Sequence, residues 1–405
     1  RWRGSPGGPL SGAPNVYDLR TRQAISVSVA MCGLAWACGC SRQHVEGGGP
    51  VAGNGAEVAT YTDLVGREAR LPRHVGRIVL PRSKDIYLLA ALLGESFPEK
   101  LIAWGPDLER DDAEVHAHLV ARFPRLKRIP VTGSVYGDAL NPEQIVALRP
   151  DLVILDKFML DHGYRYTGRL EAAGLPIVYL DGSTDPLTGP QRGVRLLGEI
   201  LGLRERASAI ARYVDDRLGA VFSRIGANAG TPPSVYLEQG YLGPAAYADT
   251  YGSADPGKGR TSWGTILHAL KVRNIADGVV GRQAPIHPEY LLRADPDIIV
   301  ITGQNWSNPG SMRLGCNVAP GEAARCLGAF LGRPGWEQLS AVRHGRVCAV
   351  FHNTGAITAF AGVQALAKYC YPDLFRDLDP EKHLREFHER FLPIDPGGTW
   401  ACAIR

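Results

Sequence analysis

The chain carries little of what covalent catalysis needs. It has three methionines and eight cysteines in 405 residues, and no two cysteines stand as C-x-x-C, which argues against a cysteine zinc site. There is no G-x-S-x-G elbow and no H-E-x-x-H helix, so neither the strained serine of a hydrolase nor the two-histidine face of a zinc protease is written here. The net charge of +4 is spread without a lysine or arginine cluster, which gives no footing for nucleic acid. "GSADPGKG", Gly252 to Gly259, mimics a phosphate loop, but Gly259 stands where a hydroxyl residue would hold magnesium, and no buried strand leads into it. The glycines at 53 and 55 likewise follow no strand. His116 and His118 fall on opposite sides of a predicted helix and read as solvated side chains, not as ligands of one metal.

What is present is a repeat. "LNPEQIVALRPDLVIL", Leu140 to Leu155, returns as "IHPEYLLRADPDIIVI", Ile286 to Ile301. Asn141 or His287 before a proline and a glutamate marks a helix start; the second proline ends that helix; four apolar, mostly β-branched residues then read as a strand buried on both faces. Around each copy lie further strand-like runs: "RIVLP", "KLIAWG" and "LPIVYLDGS" with the first, "SVYLEQG" and "RVCAVFHN" with the second. The pattern predicts an α/β protein of two Rossmann-like lobes with parallel central sheets. At 405 residues, 45% of them hydrophobic, the chain can bury two cores.

Between the lobes, Gly189 to Gly226 carries apolar residues at near-helical spacing. It predicts one long amphipathic helix, or a pair broken near Gly202, as the only connection. The boundaries expected are 1–60 for an export segment and tether, 61–188 for the first lobe, 189–228 for the linking helix and 229–405 for the second lobe.

The segment Arg20 to Gln43 has a basic start, an apolar stretch about 14 residues long, too short to span a membrane, and small residues before cysteine. It reads as an export signal. "ACGCS" resembles a bacterial lipoprotein cleavage box, with Cys40 the better lipidation candidate and Cys38 the second; Ala37 stands where leucine is preferred. A plain secretory signal is the alternative. The glycine-rich stretch Gln43 to Thr60 reads as a tether. Of the cysteines in the body, Cys316 with Cys326 closes the shortest loop and is the candidate disulfide of an oxidising compartment.

In open α/β sheets ligands bind beyond the carboxyl ends of the strands. Those ends offer Arg82, Trp104, Tyr136, Lys157, Tyr164 and Tyr166 in the first lobe, and Tyr241, Trp263, Gln304, Asn305, Trp306, His352 and Asn353 in the second. Aromatic walls with cations and amides predict a cleft for a bulky, partly anionic small molecule. A bare metal ion would need three or four histidine or carboxylate ligands at strand ends, which His352 with Asp181 do not supply. No catalytic residue is assigned.

From about Arg77 to Ile394 these features resemble the substrate-binding proteins of bacterial ABC importers for ferric siderophores, haem and cobalamin. The carriers are "NPEQIVALRPDLVIL", "HPEYLLRADPDIIVITG", "GKGRTSWGTIL", "NTGAITAFAGVQALAKYCYPDLF" and "FHERFLPI". The resemblance implies the class III periplasmic binding protein fold, with two lobes joined by a single helix. It further implies a metal chelate, foremost a ferric siderophore, held in the cleft and delivered to a membrane permease and its ATPase. No cofactor and no catalysis are implied, and the place of action is the periplasm or cell surface, with membrane contact through a lipid anchor. Arg82 falls where some relatives hold anionic iron-chelating groups. Relatives dock by acidic residues at the lobe tips, but this chain is basic there, at Lys127, Arg128 and Arg273, so that chemistry does not transfer. The other readings are a binding protein for free metal ions and a metal-dependent enzyme on a similar double scaffold.

Overall fold

The computed structural model describes residues 57–228, 230–255, 259–395 and 397–404, all within the compact unit Ala56–Arg405. The export signal, Cys38, Cys40 and most of the tether lie outside the described residues. The tether is shorter than expected, because a hairpin of β1 (Val58–Thr62) and β2 (Glu68–Pro72) opens the body.

The first lobe is built from β3 (Ile78–Leu80), α1 (Ile86–Leu93), β4 (Leu101–Trp104), α2 (Asp107–Asp111), α3 (Ala113–Arg122), α4 (Pro142–Ala147), β5 (Leu152–Asp156), α5 (Lys157–Asp161), α6 (Arg165–Ala172) and β6 (Ile177–Leu180). Its four strands are parallel in the order β4-β3-β5-β6. Two helices follow, α7 (Gly189–Ile200) and α8 (Arg204–Asn228). The second lobe contains β7 (Ser234–Gln239), α9 (Ser262–Ala269), β8 (Arg273–Asn274), α10 (Pro288–Ala294), β9 (Ile298–Gly303), α11 (Pro320–Phe330), β10 (Val347–Phe351), α12 (Ala359–Cys370), α13 (Pro380–Phe391) and β11 (Ala401–Ala403). Its sheet runs β11-β10-β9-β7-β8, parallel except for the antiparallel edge strand β11.

The repeated segment does the same work twice. Asn141 accepts a hydrogen bond from the Gln144 amide (3.1 Å) and His287 Nδ1 accepts one from the Glu289 amide (3.3 Å), so α4 and α10 both start on a side-chain cap followed by proline. The aspartate that ends each copy's turn reaches the neighbouring strand. Asp151 Oδ2 accepts from the amides of Gly76 (2.8 Å) and Arg77 (2.9 Å) ahead of β3. Asp297 Oδ2 accepts from the amide and the hydroxyl of Ser234, both at 2.7 Å, where β7 begins. Each aspartate thus fixes the register of a central strand pair, Ile78 beside Leu152 and Val235 beside Ile298. The apolar run then divides by the two-residue period of a strand: Ile298 and Val300 enter one core cluster, Ile299 and Ile301 another.

The connector is the broken pair. Gly202 turns the chain at φ +72°, a left-handed conformation that favours glycine. The two helices then pack so closely that a Cβ on Gly198 would lie 2.2 Å from Ala207 Cβ. The crossing helix is therefore α8 alone, 25 residues and about 37 Å long at 1.5 Å per residue, whereas α7 packs on the first lobe, with Gly193 against Leu88 and Leu180. Arg206 ties α8 to the Ala91 carbonyl (2.7 Å) and the Phe391 carbonyl (3.0 Å), and Tyr213 donates to the His383 carbonyl (2.7 Å). One apolar cluster runs from Ile78 and Leu152 through Ile210, Val214 and Leu218 to Val235, Ile298 and Phe360. The lobes share a core across a stiff strut.

The expected disulfide does not form. Cys316 and Cys326 are free; the Cys316 sulfur lies 3.6 Å from His118 Nδ1, and Cys326, on α11, packs against the core of the second lobe. The alternation of a helix face also misjudged the two histidines of α3. His118 is half-buried against Cys316 and Asn317, and His116 lies tilted against Trp104, the ring centroids 5.2 Å apart.

Candidate functional site

The carboxyl ends of the two sheets face each other, and the lobes touch around the space between them. Asn305 Nδ2 donates to Asp112 Oδ1 (3.3 Å), Arg282 pairs with Asp161 (3.7 Å), and a Cβ on Gly182 would come within 2.5 Å of the Gly355 carbonyl oxygen. That last approach requires glycine.

Each wall of the cleft carries a ladder of rings. In the first lobe Tyr136 stacks on Phe158 (5.7 Å), Phe158 meets His162 edge-on (5.7 Å), and His162 stacks on Tyr164 (5.6 Å), which stacks on Tyr166 (5.4 Å). The ladder stands where it does because Asp156, the last residue of β5, caps α5 by accepting from the Phe158 amide (3.0 Å). Phe158 and His162 then lie one turn apart on the same face. In the second lobe Tyr241 meets Trp306 (6.2 Å), and His352 lies 5.4 Å from Trp306 and 6.3 Å from Trp263.

His352 is held in one tautomer. An indole N–H can only donate, and Trp263 Nε1 lies 3.2 Å from His352 Nδ1. Nδ1 is therefore an acceptor, used also by the Thr302 hydroxyl at 2.8 Å, and the imidazole proton sits on Nε2. Burial, aided by the charge of Lys84, lowers the histidine to about 3, so the ring is neutral at neutral pH. Gln304 and Asn305 are buried at the end of β9, and the side-chain oxygen of each lacks a hydrogen-bond partner.

The charged residues are mutually engaged. Arg82 pairs with Asp85 and with Asp156 (3.3 Å), donates to the Ser183 hydroxyl and is buried. Lys84 pairs with Asp111 (2.6 Å), which also receives Arg110 (2.6 Å). Burial would push the Asp111 carboxyl up, but Lys84 and Arg110 outweigh it and hold it at about 2. Burial likewise works against the Lys84 ammonium, yet Asp111 keeps it above its ordinary value. Burial pushes the Tyr136 phenol up to about 12. Lys157 pairs with Asp161 (3.0 Å). Among the described residues, no group of three or more histidine, cysteine or acidic side chains is placed to hold a metal ion.

Of the residues read from the strand ends, Tyr136, Lys157, Tyr164, Tyr241, Trp306 and His352 are partly exposed on these walls. Trp104 and Tyr166 are core residues instead: Trp104 is packed into the main apolar cluster, and Tyr166 is buried with its hydroxyl on the Val135 carbonyl (2.8 Å). Trp263 is buried and supports His352 from behind. Asn353 lines a cavity together with Trp263, Thr358, Gly362 and Trp400. Arg82 sits too deep and too well paired to be a free cation for a ligand. Arg82→Ala is therefore expected to destabilise the fold by about 3 kcal/mol, because it strands the buried Asp85 and Asp156; chemical denaturation measures this. Sequence reading passed over Lys84, Arg110, Asp111, Phe158 and His162. Phe158 and His162 follow Lys157 closely enough to be found by continuing one helical turn past the strand end, whereas nothing local marks Asp111.

A family model described as "Periplasmic binding protein" matches residues 102–350. The TroA-like periplasmic binding protein FepB of Veillonella parvula is similar in structure, with a TM-score of 0.77 and 30% identity over 85% of this chain and 99% of that one. The molybdate-bound protein MolA of Haemophilus influenzae has a TM-score of 0.62 at 17% identity, over 84% of this chain and 100% of that one. Among curated proteins, the uncharacterised ABC transporter substrate-binding lipoprotein YvrC of Bacillus subtilis strain 168 is 22% identical over 242 residues, 59% of this chain and 67% of that protein.

Proposed function

The chain belongs to the periplasmic binding protein family, and from that premise we propose that it captures a bulky metal chelate, foremost a ferric siderophore, between the two aromatic walls. It is the extracytoplasmic substrate-binding component of an ABC importer and hands a small-molecule ligand to a permease and its ATPase. Proteins of this family are substrate-binding transport proteins.

The observation that carries the chelate reading is the pair of ring ladders facing across the cleft, Tyr136, Phe158, His162 and Tyr164 against Tyr241, Trp306 and His352. Rings on both sides give a flat or globular organic ligand large contact area at low entropic cost. A small hydrated ion would gain nothing from them. Tyr136, Lys157, Tyr164, Tyr241, Trp306 and His352 are the contacts proposed. The test is a titration monitored by tryptophan emission, with ferric hydroxamates, ferric catecholates, haem, cobalamin and bare metal ions. Quenching by at least one chelate is expected. A response to bare Zn²⁺ or Mn²⁺ with none to any chelate overturns the reading in favour of a metal-ion binder, and chemical turnover of a chelate overturns it in favour of an enzyme.

No described helix is long and apolar enough to cross a membrane. Attachment is proposed to run through a lipid on Cys40. Cys40→Ala should move the protein from the membrane to the soluble fraction of cells without altering its melting temperature, because the body starts only with β1. Persistent membrane association would transfer the role to Cys38 or remove it.

A further inference from the structure

We infer that the cleft selects a chelate without net negative charge. This rests on the chelate reading above and narrows it from charge and donor geometry.

The first step concerns charge. Among the described residues, five cations of the cleft share four carboxylates: Arg82 pairs with Asp85 and Asp156, Lys84 and Arg110 share Asp111, and Lys157 and Arg282 share Asp161, so that Asp107 brings the two signs level. Asp107 adds a further negative charge, satisfied by the Ser83 amide (2.9 Å), the Ser83 hydroxyl (2.9 Å) and the Lys84 amide (3.1 Å). His352 is neutral for the reason given by its Trp263 bond and burial. A polyanionic chelate entering here would lose its hydration and meet no uncompensated positive charge, while several carboxylates would repel it. A neutral ligand meets no such penalty and keeps the full benefit of the rings.

The second step concerns the polar group offered to the ligand. His352 Nδ1 is committed to Trp263 and Thr302, and Nε2 carries the proton, so the ring presents a donor to the cleft and no lone pair. Asp85, Asp156, Asp111 and Asp161 are held by arginine and lysine, and Tyr136 lies between Phe158 and Arg110, where desolvation keeps its phenol protonated. His162 on the first ladder differs: it is exposed, and its Nδ1 lies 2.7 Å from the Phe158 carbonyl, to which it can only donate, so its Nε2 keeps a lone pair. Among the polar groups the site offers a ligand is the His352 Nε2–H, which suits an amide, hydroxamate or ether oxygen on the outside of a chelate.

The experiment compares purified protein with four probes by tryptophan quenching: an uncharged ferric trihydroxamate, its gallium analogue, a trianionic ferric tris-catecholate, and haem. The uncharged iron and gallium complexes are expected to bind equally, and about 100-fold more tightly than the tris-catecholate, the scale of a few like-charge contacts in a desolvated site. Asp111→Asn, which frees Lys84 and Arg110, should shrink that ratio at least about tenfold, one charge pair being worth that much. Tris-catecholate binding as tight as the trihydroxamate overturns the charge inference while leaving the chelate reading intact. Haem, whose propionates are anionic, binding as tightly as the trihydroxamate would likewise overturn the charge inference. Silence toward every chelate overturns the chelate reading itself. If Asp111→Asn does not fold, the comparison of the four probes on the natural protein still decides.

Discussion

Arg333→Ala is expected to lower the unfolding free energy by about 4–5 kcal/mol, a large share of a typical domain's stability. The guanidinium is buried behind the cleft of the second lobe and forks onto Glu238, with contacts of 2.7 and 2.9 Å. It also donates to the carbonyls of Pro244 (3.0 Å), Gly243 (3.1 Å) and Ala246 (2.7 Å), and it lies over the rings of Tyr247 (4.3 Å), Phe330 (4.8 Å) and Trp336 (4.9 Å). Alanine would leave the Glu238 carboxylate buried with only the Tyr236 hydroxyl (2.8 Å) and the Ala248 amide (2.9 Å). It would also release the carbonyls that fold the loop after β7. The double variant Arg333→Met with Glu238→Gln should recover more than half of the loss, since most of it is the cost of an unpaired buried charge. Denaturant midpoints of the single and double variants measure both effects. A single-variant loss below about 1 kcal/mol would show that water reaches Glu238 and that the pair is not a structural core.

Trp306→Ala is expected to weaken binding of whichever chelate the protein takes by about 2–3 kcal/mol, or roughly 30- to 150-fold in Kd. Trp306 lies between Tyr241 and His352 at the centre of the second ring ladder, and it is partly exposed where both neighbours support it. A large ring fixed on both sides loses little freedom on binding, which is why such residues carry disproportionate binding energy. The melting temperature should hardly move, because the indole belongs to no buried cluster, and surface substitutions of that kind stay within about 0.5 kcal/mol. Trp306→Phe should restore part of the affinity. Equal affinity of the alanine variant and the natural protein would place the ligand away from this wall. Isothermal titration alongside thermal melts separates the two outcomes.

The repeated helix-turn-strand sentence made the two lobes legible in the chain itself. Its prolines, its cap residues Asn141 and His287 and its aspartates act locally, within a few residues of where they are written. The β-branched runs that follow could only be strands covered on both faces. The strand ends were legible for the same reason, and with them Tyr136, Tyr241, Trp306 and His352. Whether a residue near a strand end turns to the cleft or to the core was not legible, because one position of shift reverses a side chain. Trp104 thus went inward at the end of β4, and Tyr166, on α6, turned its ring to the core for want of any local signal of which helix face is covered. Still less legible was the electrostatic state of the site. Arg82 reads as a free cation until the chain brings Asp156 from another strand and Ser183 from another loop against it, and Lys84 until Asp111 arrives from the next crossover. The sequence by itself determined two parallel sheets, their facing ends and the ring-rich composition of the space between. Only the tertiary structure decided that this space is neutral, because charge balance in a desolvated cleft depends on which distant side chains meet within a few ångströms.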